Sequence, residues 1–335
     1  MKISALVSTY NNEDVIKETI DSVLAQTYRD FELIIVNDGS TDNTKLIIDR
    51  YDDPRIKAIH LESNIGIPNA LNLGLEHCDG KYIVKIDGDD IQHPTRFEKQ
   101  LSFMEQNPQY AMSKCCIEYF PNDEDVAQSI RFKNRKKYDE VNKNRNKSPE
   151  EITNSLMLHC SVPHTTMIIR NEIIQKYKYN NLKIFEDYDL FYRLVQDNLQ
   201  IGHLDETLVS MRVSNDSTTA LTNSETYLSV AYQIKEKLLT EFKQNKSIYI
   251  WGTGSFARDL TLFLTAKGWV ITGYLDSYNF GDDKQFEGRP VYSPEVLKER
   301  KDYKIMIAAS TGLYEISAYL NSIGYTIGKD YVALK

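Results

Sequence analysis

The chain has 335 residues, 41% hydrophobic and 26% charged, the balance of an ordinary globular protein with room for two domains or one large domain and an appendage. A net charge of −8 argues against general nucleic-acid binding, and an anionic substrate would need locally placed cations. Cys78, Cys115, Cys116 and Cys160 form neither a CxxC pair nor a zinc spacing, which points to a reducing, cytosolic setting.

Met1–Tyr10 passes straight into a strand pattern rather than a secretory signal, and no apolar run approaches the ~20 residues that cross a bilayer. Ile3–Val7 reads as a strand ending in the polar turn Ser8–Asn12, followed by a helix with Val15, Ile16, Thr19, Ile20, Val23 and Leu24 at helical spacing. Phe31–Val36 is a second strand that runs into the turn NDGS. A helix over Asn43–Tyr51 and a strand over Ile56–Leu61 follow, then a helix with Pro68 in its first turn, then the strand Tyr82–Ile86. This interleaving predicts a mainly parallel, doubly wound α/β sheet, whose ligands sit beyond the carboxyl ends of the strands. TYNN, NDGS and DGDD all lie at such ends. Tyr110–Phe120 and Thr165–Arg170 read as strands. Between them, 121–147 is polar, and Arg131–Lys147 carries eight Lys or Arg in 17 residues. That stretch is either a solvated flexible loop or a surface for an anionic acceptor or lipid. Ser148-Pro149-Glu150-Glu151 is a helix start. Glu186–Val195 is a helix led by acids, and Asn223–Gln244 one long amphipathic helix. From Ile248 a strand–helix pattern restarts, giving domains at 1–222 and 247–335 joined by a linking helix over 223–246.

Three acidic motifs carry the chemistry. Asp38 of NDGS accepts hydrogen bonds only, so it suits a ligand N–H such as the imide of a uracil ring, or else it closes an Asx turn. In DGDD, Asp87 and Asp89 can direct carboxylates at one hard cation with Gly88 leaving room, or the motif is a solvated acidic turn. In FEDYDL the acids either complement the helix dipole or place one carboxylate in the cleft as a general base. The six histidines are scattered, and no catalytic imidazole is assigned.

These motifs occur in order. ALVSTYNNEDVIKETIDSVLAQTYRDFELIIVNDGSTDNT, then NIGIPNALNLGLEHCDGKYIVKIDGDD, then FEDYDLFYRL resembles the family-2 glycosyltransferases of GT-A fold over residues 1–215. The resemblance implies an inverting, Mn²⁺- or Mg²⁺-dependent transfer from a nucleotide-sugar, preferentially a uridine one, to a glycan or lipid-linked acceptor in surface-polysaccharide assembly. It implies Thr9, Tyr10, Asp38, Asn72 and Asp87 in the donor site, Asp89 as the principal metal ligand with Asp87, and Asp187 as catalytic base; Asp90 braces the turn. Ser214 stands where the family often has His after Arg212, which puts a third protein ligand to the metal in doubt; Arg212 is assigned to the donor phosphates. The competing function is a nucleotide-sugar-binding or scaffolding protein with a decayed site.

IWGTGSFARD has the form GxGxxA between a strand and a helix, with Asp276 closing the next strand. This part resembles the small N-terminal Rossmann-like domain of bacterial sugar acyltransferases. Gly252, Gly254 and Asp276 therefore mark a nucleotide site, the alternative being a packing or homo-oligomerisation role. The expected location is cytoplasmic, with peripheral contact at the inner membrane face.

Overall fold

The computed structural model describes residues 1–145, 147–214, 222–243, 247–300, 302–309 and 312–334. They form two compact units: Met1–Leu156 with Ser161–Ala220, and Met157–Cys160 with Leu221–Lys335.

The first unit is built on an eight-stranded sheet. Its strands are β1 Ile3–Thr9, β2 Phe31–Asn37, β3 Ile56–His60, β4 Tyr82–Asp87, β5 Ile91–Gln92, β6 Tyr110–Pro121, β7 Ile168–Arg170 and β8 Gln200–Val213, in the order β3-β2-β1-β4-β7-β6-β8-β5. The first four pair in parallel. β7 runs antiparallel to both its neighbours, so the sheet is mixed in its second half. β1, β2 and β4 are buried almost throughout, which is why they read as apolar runs rather than alternating strands. Helix α1 (Ile16–Leu24) lays Ile16, Ile20 and Val23 into the same core as Ile3, Val7, Ile35 and Ile86. Its outer residues are polar, so the helix folds only by docking on the sheet.

Two expectations for this unit are corrected. His164–Thr166 is a 3-10 turn, and β7 begins only at Ile168. Of the two readings of Arg131–Lys147, the flexible loop does not hold for the described residues: the polar stretch winds through Glu124–Gln128, Ile130–Asn134, a π-helical turn Arg135–Asp139 and Glu140–Arg145. Asp123 and Ser129 cap the first two of these helices, accepting from Val126 and Phe132 backbone N–H groups. Along β6 the side chains of this segment replace a strand. Asn144 donates to Ile117 O and accepts from Ile117 N, Glu140 accepts from Tyr119 N, and Lys136 donates to Tyr119 O. These polar side chains cover backbone groups that a buried strand cannot leave open. The next helix, Pro149–Leu158, starts with a reciprocal box between Ser148 and Glu151.

The second unit holds a six-stranded sheet in the order β11-β12-β10-β9-β13-β14, with β9 Ile248–Trp251 between β10 Ile271–Leu275 and β13 Lys304–Ile307. β11 (Gln285–Phe286) and β12 (Arg289–Tyr292) form a hairpin, and β14 is Tyr331–Ala333. The expected single helix over 223–244 is two, Ser224–Ile234 and Glu236–Phe242, and residues 244–246 lie outside the described residues. The break falls at Lys235, whose buried Nζ turns inward to donate to Leu158 O and Ala333 O. Among the described residues no helix is long and apolar enough to cross a membrane.

Candidate active site

Strand β4 alternates so that Lys85 and Asp87 point the same way. Lys85 is a charged residue inside an apolar run, and its side chain is 2% exposed. Its Nζ pairs with Asp87 Oδ1, and Asp87 N donates to Thr165 Oγ1. At Gly88 a Cβ would lie 3.0 Å from both Thr9 Oγ1 and Asn12 Nδ2, so the turn presses on the end of β1 and only glycine fits without displacing them. Asp89 follows. Burial, then the charge of Asp87, raise its carboxyl to about 6. Asp90 is buried and accepts from Arg212 N at 2.9 Å, and burial with its two acidic neighbours pushes its carboxyl well up.

Arg212, near the end of β8, braces this turn. Its Nε donates to Asp89 O at 2.9 Å, a terminal nitrogen pairs with Glu18 at 2.6 Å, and its guanidinium lies over the Phe120 ring. Its fork is thus spent on protein groups, and the structure places it behind the acidic turn.

The second acid pair begins helix α2 (Glu186–Gln196), where Phe185 takes a left-handed φ of +65°. A non-glycine residue held there is strained, a feature that concentrates at functional sites. Asp187 Oδ1 accepts from Tyr188 N at 2.7 Å. Glu186 is enclosed, its Oε1 3.9 Å from His164 Nδ1, and burial with the charge of Asp187 raises it to about 7. His164 Nε2 meets Tyr179 OH at 2.9 Å. Burial, then Lys85, hold His164 well below its ordinary value, so its imidazole is neutral. Asp189 faces elsewhere, accepting from Arg193 and Asn180.

The two acid pairs belong to one electrostatic cluster. Glu186 feels Lys85 and Asp87 directly, and Tyr179 is pushed well above its usual range by burial and by Glu186, Asp187 and Asp87 together. Sequence reading missed Lys85, His164 and Tyr179. Lys85 had a legible signal, a cation in a buried strand next to an acidic turn. His164 and Tyr179 had none, since only the fold brings residues 85, 164, 179 and 186 together.

At the other side of the turn, Asp38 N donates to Thr9 O at the paired ends of β1 and β2. Asp38 is buried, and its two oxygens accept from Ile65 N and Gly66 N at 2.8 and 3.0 Å. Thr9 Oγ1 is buried with no partner, and Tyr10 is exposed. Asn72 is set apart: its amide clamps the backbone of Tyr179, donating to its O and accepting from its N. In the second unit, Gly252 has φ +125° and Gly254 caps the helix Ser255–Ala266. Asp276 lies beside this turn, but its Oδ2 accepts from Thr253 and its Oδ1 from Tyr278 N and Asn279 N.

Comparison with known proteins places this architecture. The sequence model of Glycosyl transferase family 2 matches residues 4–177. A Haemophilus influenzae protein described as an uncharacterized glycosyltransferase is 30% identical over 248 residues, 72% of this chain and 74% of that protein. The Bacillus subtilis teichuronic acid biosynthesis glycosyltransferase TuaG, a putative assignment in its own description, is 29% identical over 218 residues, 64% of this chain and 80% of that protein. Among solved structures, S. aureus TarS 1–349 in complex with UDP-GlcNAc superposes with a TM-score of 0.57 at 22% identity, covering 71% of this chain and 67% of that one. TarS 1–349 with UDP superposes at 0.54 and 23% identity, over 71% of this chain and 66% of that chain. The larger unit has the GT-A fold, and the chain is a glycosyltransferase that belongs to glycosyl transferase family 2.

Proposed function

We propose that this glycosyltransferase moves a sugar, with inversion, from a nucleoside-diphosphate donor, preferentially a UDP-sugar, to a hydroxyl of a glycan or lipid-linked acceptor in surface-polysaccharide assembly. The observation that carries the reading is the convergence of the Asp87/Asp89 turn and the Glu186/Asp187 helix start around Lys85. TuaG and the UDP-GlcNAc complex of TarS support the donor class and the polysaccharide setting.

The donor set fits a divalent cation. Of Asp87, Asp89 and Asp90 only Asp87 is paired with Lys85, and burial, then the charge of Asp87, let Asp89 hold a proton up to about 6. Hard carboxylate oxygens in this state suit Mn²⁺ or Mg²⁺, held by Asp89 and Asp87. When bound, the ion neutralises charge developing on a leaving diphosphate. Thr9, with its unpartnered hydroxyl, and Tyr10 line the nucleoside side, and Asp38 orders the turn at Ile65 and Gly66 that borders it. Asn72 and Arg212 act at one remove, Asn72 through Tyr179 and Arg212 through the backbone of Asp89. Asp187 takes the acceptor hydroxyl proton as that oxygen attacks the anomeric carbon from the face opposite the leaving group. Glu186, enclosed against His164, positions it. The smaller unit is assigned a nucleotide-binding or packing role; the stretch 223–246, expected to link it, contributes Leu228, Ala231, Leu239 and Phe242 to its core.

Asp187→Asn tests the base. It should lower turnover by about 10²–10⁴-fold, while a UDP-sugar with Mn²⁺ still raises the melting temperature as in the wild type. Normal turnover in this variant refutes the role of Asp187. If no UDP- or GDP-sugar gives metal-dependent stabilisation or turnover, the donor site is decayed and the chain is a binding or scaffolding protein.

A further inference from the structure

Away from the acidic turn, the first unit brings together a second set of chemistry-bearing residues. Strand β6 supplies Cys116, and strand β8 supplies His203 and Asp205. Cys116 Sγ lies 3.6 Å from His203 Nε2 and 3.6 Å from Asp205 Oδ1, and those two atoms lie 3.5 Å apart. We propose that Cys116, His203 and Asp205 form a divalent-metal site of zinc type, with a fourth position open to solvent.

The triangle has the size such an ion demands. With Zn–S of about 2.3 Å and Zn–N and Zn–O of about 2.0–2.2 Å, tetrahedral angles put sulfur about 3.5 Å from nitrogen and from oxygen, and nitrogen about 3.4 Å from oxygen. The observed edges of 3.6, 3.6 and 3.5 Å match that figure before any ion is added. The donor set is also right in kind, since thiolate, imidazole and carboxylate together are ligands of zinc and cobalt and poor ones for magnesium.

The fold builds the triangle through an irregularity. Cys115 pairs with Leu204 and Cys116 with Thr207, so Asp205 and Glu206 are extra residues on β8 at this step. A bulge of this kind re-aims side chains, here turning Asp205 toward the sulfur. His203 and Asp205, two apart on one strand, lie on the same side. Cys116 and His203 are buried while Asp205 is exposed, which leaves an entry path on the Asp205 side. His203 Nδ1 is buried with no hydrogen-bond partner.

Two cations face the site. Lys147 Nζ pairs with Asp205 Oδ2, the other oxygen from the one beside the sulfur, and Lys114 donates to Lys143 O. Lys147 thus opposes an incoming cation without occupying its ligand atom. On binding, the Cys116 S–H bond gives way to a metal–sulfur bond and one proton leaves to solvent. The site is separate from the Asp87/Asp89 turn: Arg212, which braces that turn, is seven residues beyond Asp205 on β8, roughly 20 Å at the rise of a strand.

The test is a Co²⁺ titration of the full-length, EDTA-stripped protein, read by thiolate-to-cobalt charge-transfer absorption. Wild type should show one such site, and Asp89→Asn and Cys115→Ser should retain it. Cys116→Ser should lose the band. Asp205→Asn, an exposed change that leaves the core intact, should weaken Co²⁺ binding at least about tenfold, and Lys147→Gln should tighten it several-fold. A wild-type protein without the band, a band that survives Cys116→Ser, or Asp205→Asn binding as tightly as wild type would overturn the proposal.

Discussion

Replacing Lys85 by Met keeps the stem's bulk and removes the one charge paired with Asp87. Lys85 is 2% exposed at its side chain and Asp87 35%. Breaking a fully buried pair by deleting one partner costs about 3–5 kcal/mol, because the remaining charge is left uncompensated. A third of Asp87 is open to water, which screens it, so the cost falls below that range and about 2–3 kcal/mol is expected. The sign with pH follows from Asp87, whose carboxyl is held below its usual value, against the opposing pull of burial, chiefly by the charge and hydrogen bond of Lys85. A depressed carboxyl contributes stability above its unfolded value and loses it as pH falls through the folded one. The penalty of Lys85→Met should therefore be full near neutral pH and shrink in acid. Mn²⁺ can take the place of the lost ammonium, so it should stabilise the variant more than the wild type. Urea unfolding followed by circular dichroism, with EDTA or with Mn²⁺, measures both effects, and Lys85→Met with Asp87→Asn should recover part of the loss. A cost under about 1 kcal/mol, or no differential effect of Mn²⁺, would refute the view that Lys85 serves as the standing counter-charge of a cation site.

Three other outcomes are expected. Asp89 must give up its proton to bind a cation, so Mn²⁺ affinity should fall about tenfold per pH unit below about 6 and level off above it, as calorimetric titration would show; Asp89→Asn should abolish both the affinity and the dependence. Arg212→Ala removes the brace on Asp89 O, and kcat/KM for donor should fall about 10–100-fold with most of the loss in Mn²⁺ affinity; unchanged Mn²⁺ binding would argue for a direct contact between Arg212 and the diphosphate instead. Burial lowers Lys235 to about 7, so between there and its unfolded value the unfolded chain binds more protons and stability rises with pH. Between about pH 7 and pH 9 that gain is about 2 kcal/mol, seen as a rising melting temperature of the smaller unit; Lys235→Met should flatten it.

Much of this protein was legible as a string of residues. Alternation of apolar strands with amphipathic helices marks the α/β architecture, because β1, β2 and β4 are buried almost throughout and are built mainly of apolar residues. DGDD and FEDYDL announce themselves because clustered carboxylates at strand and helix ends are costly without a purpose, and NDGS because it sets a lone acid in a turn at a strand end. The tertiary structure decided what each residue touches. It joined Arg212 Nε to the backbone of Asp89, spent the amide of Asn72 on Tyr179, and wound the described residues of 121–147 into short helices whose side chains cover β6. It also assembled what no spacing shows: Lys85 and His164 between two acid pairs, and Cys116 against His203 and Asp205 across a bulge. Local patterns arise from periods of two and 3.6 residues and survive in the sequence. Encounters between residues some ninety or a hundred positions apart depend on strand order and register, which no single segment encodes.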